Sequence, residues 1–443
     1  MGLVSTSRTA LRTGLARNIG SLYVIQFVLY LVPLMTLPWL ARVLGPSGLG
    51  ILATAQAFGS CVTLLVEYGF SFSATQQAAI HRRSPERLSR LVAGVQGGKA
   101  VLSLAAFAAA FAAHFFIPAA RGNDGVFAAA VAAAAGQGFG MTWYFLALER
   151  MPAMSAIESS LRVAAAAAIV LLVRSPRDLW KVFALQGAAS WSAAFVGAWL
   201  ARRDAPFRRP PAALNREALA NGRAAVFFRV AETSYTSCNS LLLGFFFPAG
   251  VVGLFAGAEK IARGFLVALL DPMQRSIYPG VAQALADSRV AAARLVRTGA
   301  AVTVSLAALG SLAVFAAAPQ VIRLLLGPGY EAAVPTLRIL LVVPVAVAFK
   351  WSIGFNWMVP IGDSRTFNAV VAGSAALHLL AAFVFARAWG QVGMAAAVAL
   401  TEVFIPLSVY VLLRRRDTDP FHLARQRTYP EFAYDSKTEV HCH

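Results

Sequence analysis

The chain is short of charge. Asp, Glu, Lys and Arg make up only 13% of its 443 residues, against about 25% in soluble proteins. Hydrophobic residues make up 58%, and mean hydropathy is +0.64. That balance excludes a soluble globular domain, which could not hide so much apolar surface. The short alternating segments of a β-barrel are missing too. Cysteine is scarce: Cys61, Cys238 and Cys442 lie far apart and form no CxxC pair, so neither a zinc site nor a disulfide framework is indicated. The terminal "HCH" (His441, Cys442, His443) has no second cluster to complete a metal site. Catalytic signatures are also absent. There is no HExxH, no GxSxG, and no GxGxxG in a strand–helix setting. "GVQGGKA" (94–100) has three residues where a phosphate loop needs four, and Ala follows its Lys. His114 and His378 stand alone in apolar runs and read as packed histidines. No enzyme activity, no cofactor and no ATP motor is expected.

Long apolar runs are present in number. A bilayer crossing needs about 20 apolar residues. Twelve spans fit: 18–40, 48–70, 91–117, 126–148, 153–173, 180–200, 224–247, 250–271, 298–326, 332–360, 367–387 and 391–413. Pro33, Pro38, Pro344 and Pro406 fall inside spans, where neighbouring helices can satisfy the freed carbonyls. The basic start "MGLVSTSRTALRTGLAR" runs into apolar sequence with no clear cleavage site, so it reads as leading into a first span. The fold class expected is an all-α polytopic membrane protein of about twelve helices.

Positive charge sets the orientation. With the N-terminus cytoplasmic, inside segments hold 26 Lys and Arg and outside segments 7 of the 39. Both termini are therefore expected inside. The net charge of +19 then lies against anionic lipid, and no nucleic-acid partner is needed. The basic, Pro-containing loop 201–223 divides the chain. It separates an N-terminal tail (1–17) and lobe (18–200) from a second lobe (224–413) and a polar tail (414–443). Each lobe starts alike: "GILATAQ" (50–56) matches "GLFAGAE" (253–259) at an offset of 203 residues. Six spans per lobe make this a parallel repeat, with a pseudo-twofold axis along the membrane normal and a substrate cavity between the lobes.

Polar residues fall in stripes at helical spacing. Span 7 carries Arg229, Glu232, Thr233, Thr236, Asn239 and Ser240. Span 8 carries Lys260, Arg263 and Asp271, and span 2 carries Gln56, Ser60, Thr63 and Glu67. Span 1 shows Asn18, Gln26 and Tyr30, and span 10 adds Arg338, Lys350 and Asn356. Each ion could be a mere interhelical fastener or a snorkelling side chain. Glu158 and Arg162, at i,i+4, read as a pair that neutralises itself. Four stripes together argue for a hydrated cavity. It is net basic, since Arg229, Lys260, Arg263, Arg338 and Lys350 outnumber Glu232, Glu259 and Asp271. A basic cleft attracts an anion, and the planar fork of Arg suits phosphate.

Ordered motifs carry a resemblance over about 15–415. They are "LPWLARVLGPSGLGILATAQAF" (37–58), "EYGFSFSATQQAA" (67–79), "GLFAGAEKIARG" (253–264), "PMQRSIYPGVAQ" (272–283), "LLGPGYEAAVPTLRIL" (325–340) and "FNWMVPIGDSRTF" (355–367). The chain resembles the polysaccharide-unit (O-antigen, Wzx-type) flippases. Their superfamily includes multidrug and toxic-compound extruders and peptidoglycan lipid flippases. The resemblance implies two six-helix lobes around a central cavity in the bacterial inner membrane. It implies movement of a polyprenyl-pyrophosphate-linked oligosaccharide from the cytoplasmic to the periplasmic leaflet by alternating access, and other polysaccharide-assembly membrane proteins as candidate partners. Arg229, Lys260, Arg263, Arg338, Lys350 and Asn239 are the candidates for pyrophosphate and sugar. Glu67, Glu232, Glu259 and Asp271 are the candidates for H⁺ or Na⁺ coupling or for charge pairing. Arg263→Glu is expected to cripple transport while leaving expression intact. Two alternatives remain: a cation-coupled drug extruder of the same superfamily, and a membrane-bound polysaccharide polymerase or ligase. No outside loop exceeds about a dozen residues, too short for a folded module, which weighs against the enzyme.

Overall fold

The computed structural model describes the backbone of residues 2–206, 219, 230, 233 and 236–424. Among these, side chains are described from residue 32 onward, except 113, 114, 265–269, 271, 272 and 275. Helices dominate, and there is no strand among the described residues.

The first half begins with α1 (Gly2–Glu67), which is two helices joined at Gly45 (φ 65, ψ 178). Glycine reaches positive φ at little cost, and Pro46 then opens the second arm, where a missing N–H is harmless. The expected spans 18–40 and 48–70 are these two arms. Next come α2 (Phe70–Ile80), α3 (Pro85–His114), α4 (Asp124–Gly138), α5 (Thr142–Ala147), α6 (Met151–Leu172) and α7 (Leu179–Ala201). The expected span 126–148 is α4 and α5 in series. The second half holds α8 (Asn239–Phe246), α9 (Ala249–Leu269), α10 (Asp271–Asp287), α11 (Arg289–Ala316), α12 (Ala318–Leu325), α13 (Val334–Leu340) and α14 (Val342–Lys350). A π-helix (Trp351–Met358) continues α14, and α15 (Ser364–Arg415) and α16 (Pro420–Leu423) close the order. In α15 the last two expected spans are joined at Gly390 (φ 58, ψ −129). Seven stretches among the described residues are long and apolar enough to cross a membrane: Val32–Ile80, Pro85–Ala112, Asp124–Ala147, Met151–Leu172, Arg289–Ala316, Glu331–Met358 and Ser364–Arg415.

The halves repeat. The short α2 follows the second arm of α1, and the short α10 follows α9 in the same way. Contact between the halves has the same symmetry. A Cβ on Gly50 would stand 1.7 Å from the carbonyl oxygen of Ala249, and one on Gly253 would stand 1.8 Å from that of Pro46. Both pairs keep the offset of 203 (249 minus 46, 253 minus 50), as a pseudo-twofold axis between α1 and α9 requires. These two helices therefore cross backbone to backbone, and only glycine fits at the crossing. Around it, Arg42 Nη2 donates to the carbonyl of Leu324 at 2.6 Å and the buried Tyr330 hydroxyl donates to that of Ala41 at 3.1 Å. One hydrophobic core, with Leu49, Leu52, Val252, Phe255, Leu326 and Leu337, runs through both halves at this end. Gly50→Val would force the crossing apart. Overpacking costs about 1–3 kcal/mol or more, so thermal unfolding in detergent should show a clearly lowered Tm, whereas Gly125→Ala, with open space around it, should not.

Candidate substrate site

A cavity of about 380 Å³ opens between α1, α4, α6 and α7, within the ~300–1,000 Å³ range of small-molecule sites. Its apolar wall comes from Pro33, Leu37, Leu40, Ile169 and Phe183. Its polar wall is supplied by Gln56, Ser60 and Thr63 of α1, Gln137 of α4, Glu158 and Arg162 of α6, and Gln186 and Ser190 of α7. The α1 set follows the stripe expected from sequence, since residues at 0, 4 and 7 share a face. One lining residue comes from the other half: Lys260 of α9, whose Nζ donates to Gln56 Oε1 at 2.9 Å.

The cavity also holds two opposite charges, Glu158 and Arg162. Glu158 is buried and accepts a hydrogen bond from Thr142 Oγ1 at 2.5 Å. Arg162 makes no hydrogen bond among the described residues; Glu158 is its electrostatic neighbour. The two charges thus act on each other as their spacing suggested, without a direct hydrogen bond among the described residues. Arg162 and Lys260 give the cavity a positive lining, with one acid that is already hydrogen-bonded.

A second polar system lies in the C-terminal half. Glu259 Oε1 accepts from Arg263 Nε and Nη2, each at 3.1 Å, and from Asn239 Nδ2 at 3.0 Å. Arg263 Nη2 also reaches the Thr236 carbonyl at 3.1 Å. Asn239 Oδ1 meets His378 Nε2 at 2.9 Å, and His378 Nδ1 meets Thr401 Oγ1 at 3.1 Å. Beside them Lys350 pairs with Glu402 at 2.6 Å, both side chains largely buried. His378 is packed, as expected, but not isolated: both ring nitrogens are bonded.

The sequence-derived candidates separate accordingly. Lys260 lines the cavity. Arg263 is one third exposed and holds Glu259. Asn239 is buried behind Glu259, so it supports that pair and does not line the cavity. Lys350 is committed to Glu402 inside its own half. Arg338 is exposed and stacks on the Phe315 ring at 5.0 Å, away from the cavity wall. Glu67 accepts from Ser71 at the end of α1. Asn356 lies deep in the second half and donates to Gln274 Oε1 at 2.8 Å. Arg229 and Glu232 lie outside the described residues, as do the side chains of Asn18, Gln26, Tyr30 and Asp271. Lys99, one of the 26 Lys and Arg assigned to inside segments, is instead 1% exposed within α3 and donates to the Gly140 carbonyl at 3.1 Å. Gln137 and Gln186 were missed, and Arg162 was read only as the partner of Glu158 and not as a cavity residue. The signal available was a polar side chain within each of three apolar helices, α4, α6 and α7.

A family model described as "Polysaccharide biosynthesis protein" matches residues 15–285, more than half of the chain. The chain belongs to this family. Relatives within reach of the polysaccharide biosynthesis family include a protein of Escherichia coli (strain K12) named "Putative O-antigen transporter". It is 25% identical over 413 residues, covering 93% of this chain and 98% of the relative. A protein of Shigella dysenteriae with the same name is 23% identical, covering 88% and 98%. Among solved structures, an inward-facing multidrug resistance MATE family transporter of the MOP superfamily superposes with a TM-score of 0.67. It is 14% identical, and the match covers 91% of this chain and 99% of that one. The lipid II flippase MurJ in an inward closed conformation gives 0.65 at 12% identity, covering 94% and 89%. The two-lobe helical fold expected from sequence is the fold of these proteins. The relatives are transporters and a flippase, not enzymes, and with the long apolar helices they identify a multi-pass bacterial membrane protein.

Proposed function

We propose that the protein flips polyprenyl-pyrophosphate-linked oligosaccharide repeat units from the cytoplasmic to the periplasmic leaflet of the bacterial inner membrane, with both termini in the cytoplasm. The observation that carries this reading is the cavity lined by Arg162 and Lys260 and by uncharged amide and hydroxyl groups. Cations with several N–H donors suit a pyrophosphate, and amides and hydroxyls suit sugar hydroxyls. Arg263 stands one turn beyond Lys260 on α9, paired with Glu259 and outside the cavity lining. Relatives named for O-antigen transport and a fold neighbour that flips a lipid-linked precursor support the same substrate class.

The mechanism follows from the two halves. With the N-terminus inside, the second arm of α1 starts at the outer face. The Gly50–Gly253 crossing then seals the outside, and the head group enters from the cytoplasmic side while the polyprenyl tail stays in lipid. Rocking of the lobes withdraws Lys260 from the N-terminal cavity and opens the other face. An inside-negative potential favours the exit of an anion by about 2.3 kcal/mol per charge per 100 mV. Coupling to H⁺ or Na⁺, if used, would run through Glu67, Glu232, Glu259 or Asp271.

The test is leaflet-resolved. In a strain lacking the protein, the lipid-linked glycan should be shielded from a glycosidase that reaches only the outer face, and re-expression should release it. Glycan on the outer leaflet regardless of the protein, in a strain with no second flippase, sinks this reading. Protection of that strain against cationic drugs would then favour the extruder reading, which the basic cavity lining disfavours.

A further inference from the structure

Thr142 is the first residue of α5, and its hydroxyl reaches across to α6, where it donates to Glu158 Oε1 at 2.5 Å. Glu158 is buried and lines the cavity. Arg162, one turn further along α6, lines the same cavity. At i,i+4, with the acid nearer the helix N-terminus, the two have the spacing and the order that favour a direct ion pair. Among the described residues that pair is not made: Arg162 feels the charge of Glu158 but does not hydrogen-bond to it. The carboxylate is held instead from another helix. The segment that presents Thr142 is itself fixed. Residues 139–141 join α4 to α5. Lys99 Nζ, reaching from α3, donates to the Gly140 carbonyl at 3.1 Å. Lys99 is fully buried and Gly140 lines the cavity, so an otherwise unassigned cation braces this part of the wall.

We propose that Thr142 is a positioning residue for anion binding: by holding the Glu158 carboxylate it keeps the N–H groups of Arg162 open to the pyrophosphate. This rests on the reading of Arg162 as a cation of the head-group site. The arrangement accounts for an acid in a site built for an anion. Held by Thr142, the Glu158 charge offsets the burial of Arg162 while the site is empty. It does so without occupying the fork of donors that a phosphate needs. Without the hydroxyl, a buried carboxylate oxygen loses its hydrogen bond, and leaving it unsatisfied is costly. The donors one turn away on the same face belong to Arg162. The carboxylate then closes on the guanidinium, and an incoming phosphate must displace it. Such a pair is weak in water but stronger in a cavity walled by apolar residues, so the expected loss of affinity is roughly three- to tenfold.

The experiment uses the full chain in lipid nanodiscs and a fluorescent short-chain polyprenyl pyrophosphate as the probe. The unsubstituted protein should bind it. Thr142→Val keeps the shape of the side chain, removes the donor, and should weaken binding several-fold. Thr142→Ser, which returns the hydroxyl, should restore it. The decisive comparison is made in a Glu158→Gln background. There the rival charge is gone, affinity should rise, and Thr142→Val should have no further effect. In an Arg162→Gln background Thr142→Val should also be silent, because no guanidinium remains to be covered. A loss of equal size in every background, or no loss in the unsubstituted one, overturns the proposal. A loss that survives only without Arg162 places the competition at another cation and overturns it too. Absence of binding by the unsubstituted protein overturns the head-group reading itself, and this proposal with it. Should Thr142→Val fail to fold, Thr142→Ala withdraws the same donor and is read the same way.

Discussion

Oxidation of the purified protein with copper phenanthroline should join Cys61 to Cys238 and stop transport outright, and dithiothreitol should restore it. The two sulfurs stand 3.6 Å apart although 177 residues separate them in sequence. Cys61 lies on the second arm of α1, in the N-terminal half, and Cys238 is the residue before α8, in the other. Both are free thiols. In the reaction each gives up a proton and an electron, the Cu(II) complex takes the electrons, and the new S–S bond spans the halves. Alternating access requires the halves to move relative to each other around a fixed site, and a covalent tie beside the cavity forbids that. Cys442 should first be replaced by Ser so that one disulfide is possible. Cleavage in the 201–223 linker, followed by a non-reducing gel, reports the cross-link, because the two fragments then migrate together. Cys61→Ser should be insensitive to the oxidant. Full transport by a fully cross-linked protein would exclude a rocking motion that separates these two helices.

The parts of this architecture legible in the sequence are those set by strong, local constraints. Spans were legible because a bilayer demands long apolar runs. The repeat was legible at Gly50 and Gly253 because a backbone-to-backbone crossing tolerates no side chain, so the residue type itself records the contact. The short helices α2 and α10 left no such mark, being too short or too polar to read as spans. Side-chain partnerships were harder. The i,i+4 spacing of Glu158 and Arg162 reports a shared face but not that Thr142, sixteen positions away, would take the carboxylate. His378 looked isolated because its partners lie 139 and 23 residues distant. Arg338 fell on a polar stripe, yet its long side chain found the Phe315 face instead. A stripe fixes where a Cβ points, and a flexible side chain decides the rest.

Lys260→Gln should reduce transport by about tenfold or more, and Lys260→Glu should abolish it, both with normal protein levels in the membrane. The reason for expecting normal levels lies in the partner. Lys260 donates to Gln56, an uncharged amide, so its removal strands no buried acid, and glutamine can keep a polar contact. Arg263 differs. Reversing it to Glu would set two carboxylates one turn apart, at 259 and 263, and take away the ion pair that Glu259 now has. Breaking a buried pair costs about 3–5 kcal/mol, though the one-third exposure of Arg263 reduces that. The Arg263→Glu variant is therefore expected to lose expression as well as transport, contrary to the sequence-based expectation, and cannot test the site cleanly. Lys260 can. A hydrogen bond to a charged group contributes about 1.5–3 kcal/mol, which sets the expected tenfold or greater loss. Arg162→Gln, at the other cation of the cavity, should cost a similar factor. If both cations hold one pyrophosphate, the double variant should lose less than the product of the two single effects, because the second loss falls on a head group already displaced. Independent, multiplicative losses would mean that the two cations bind at separate steps, one in the N-terminal cavity and one as the lobes part.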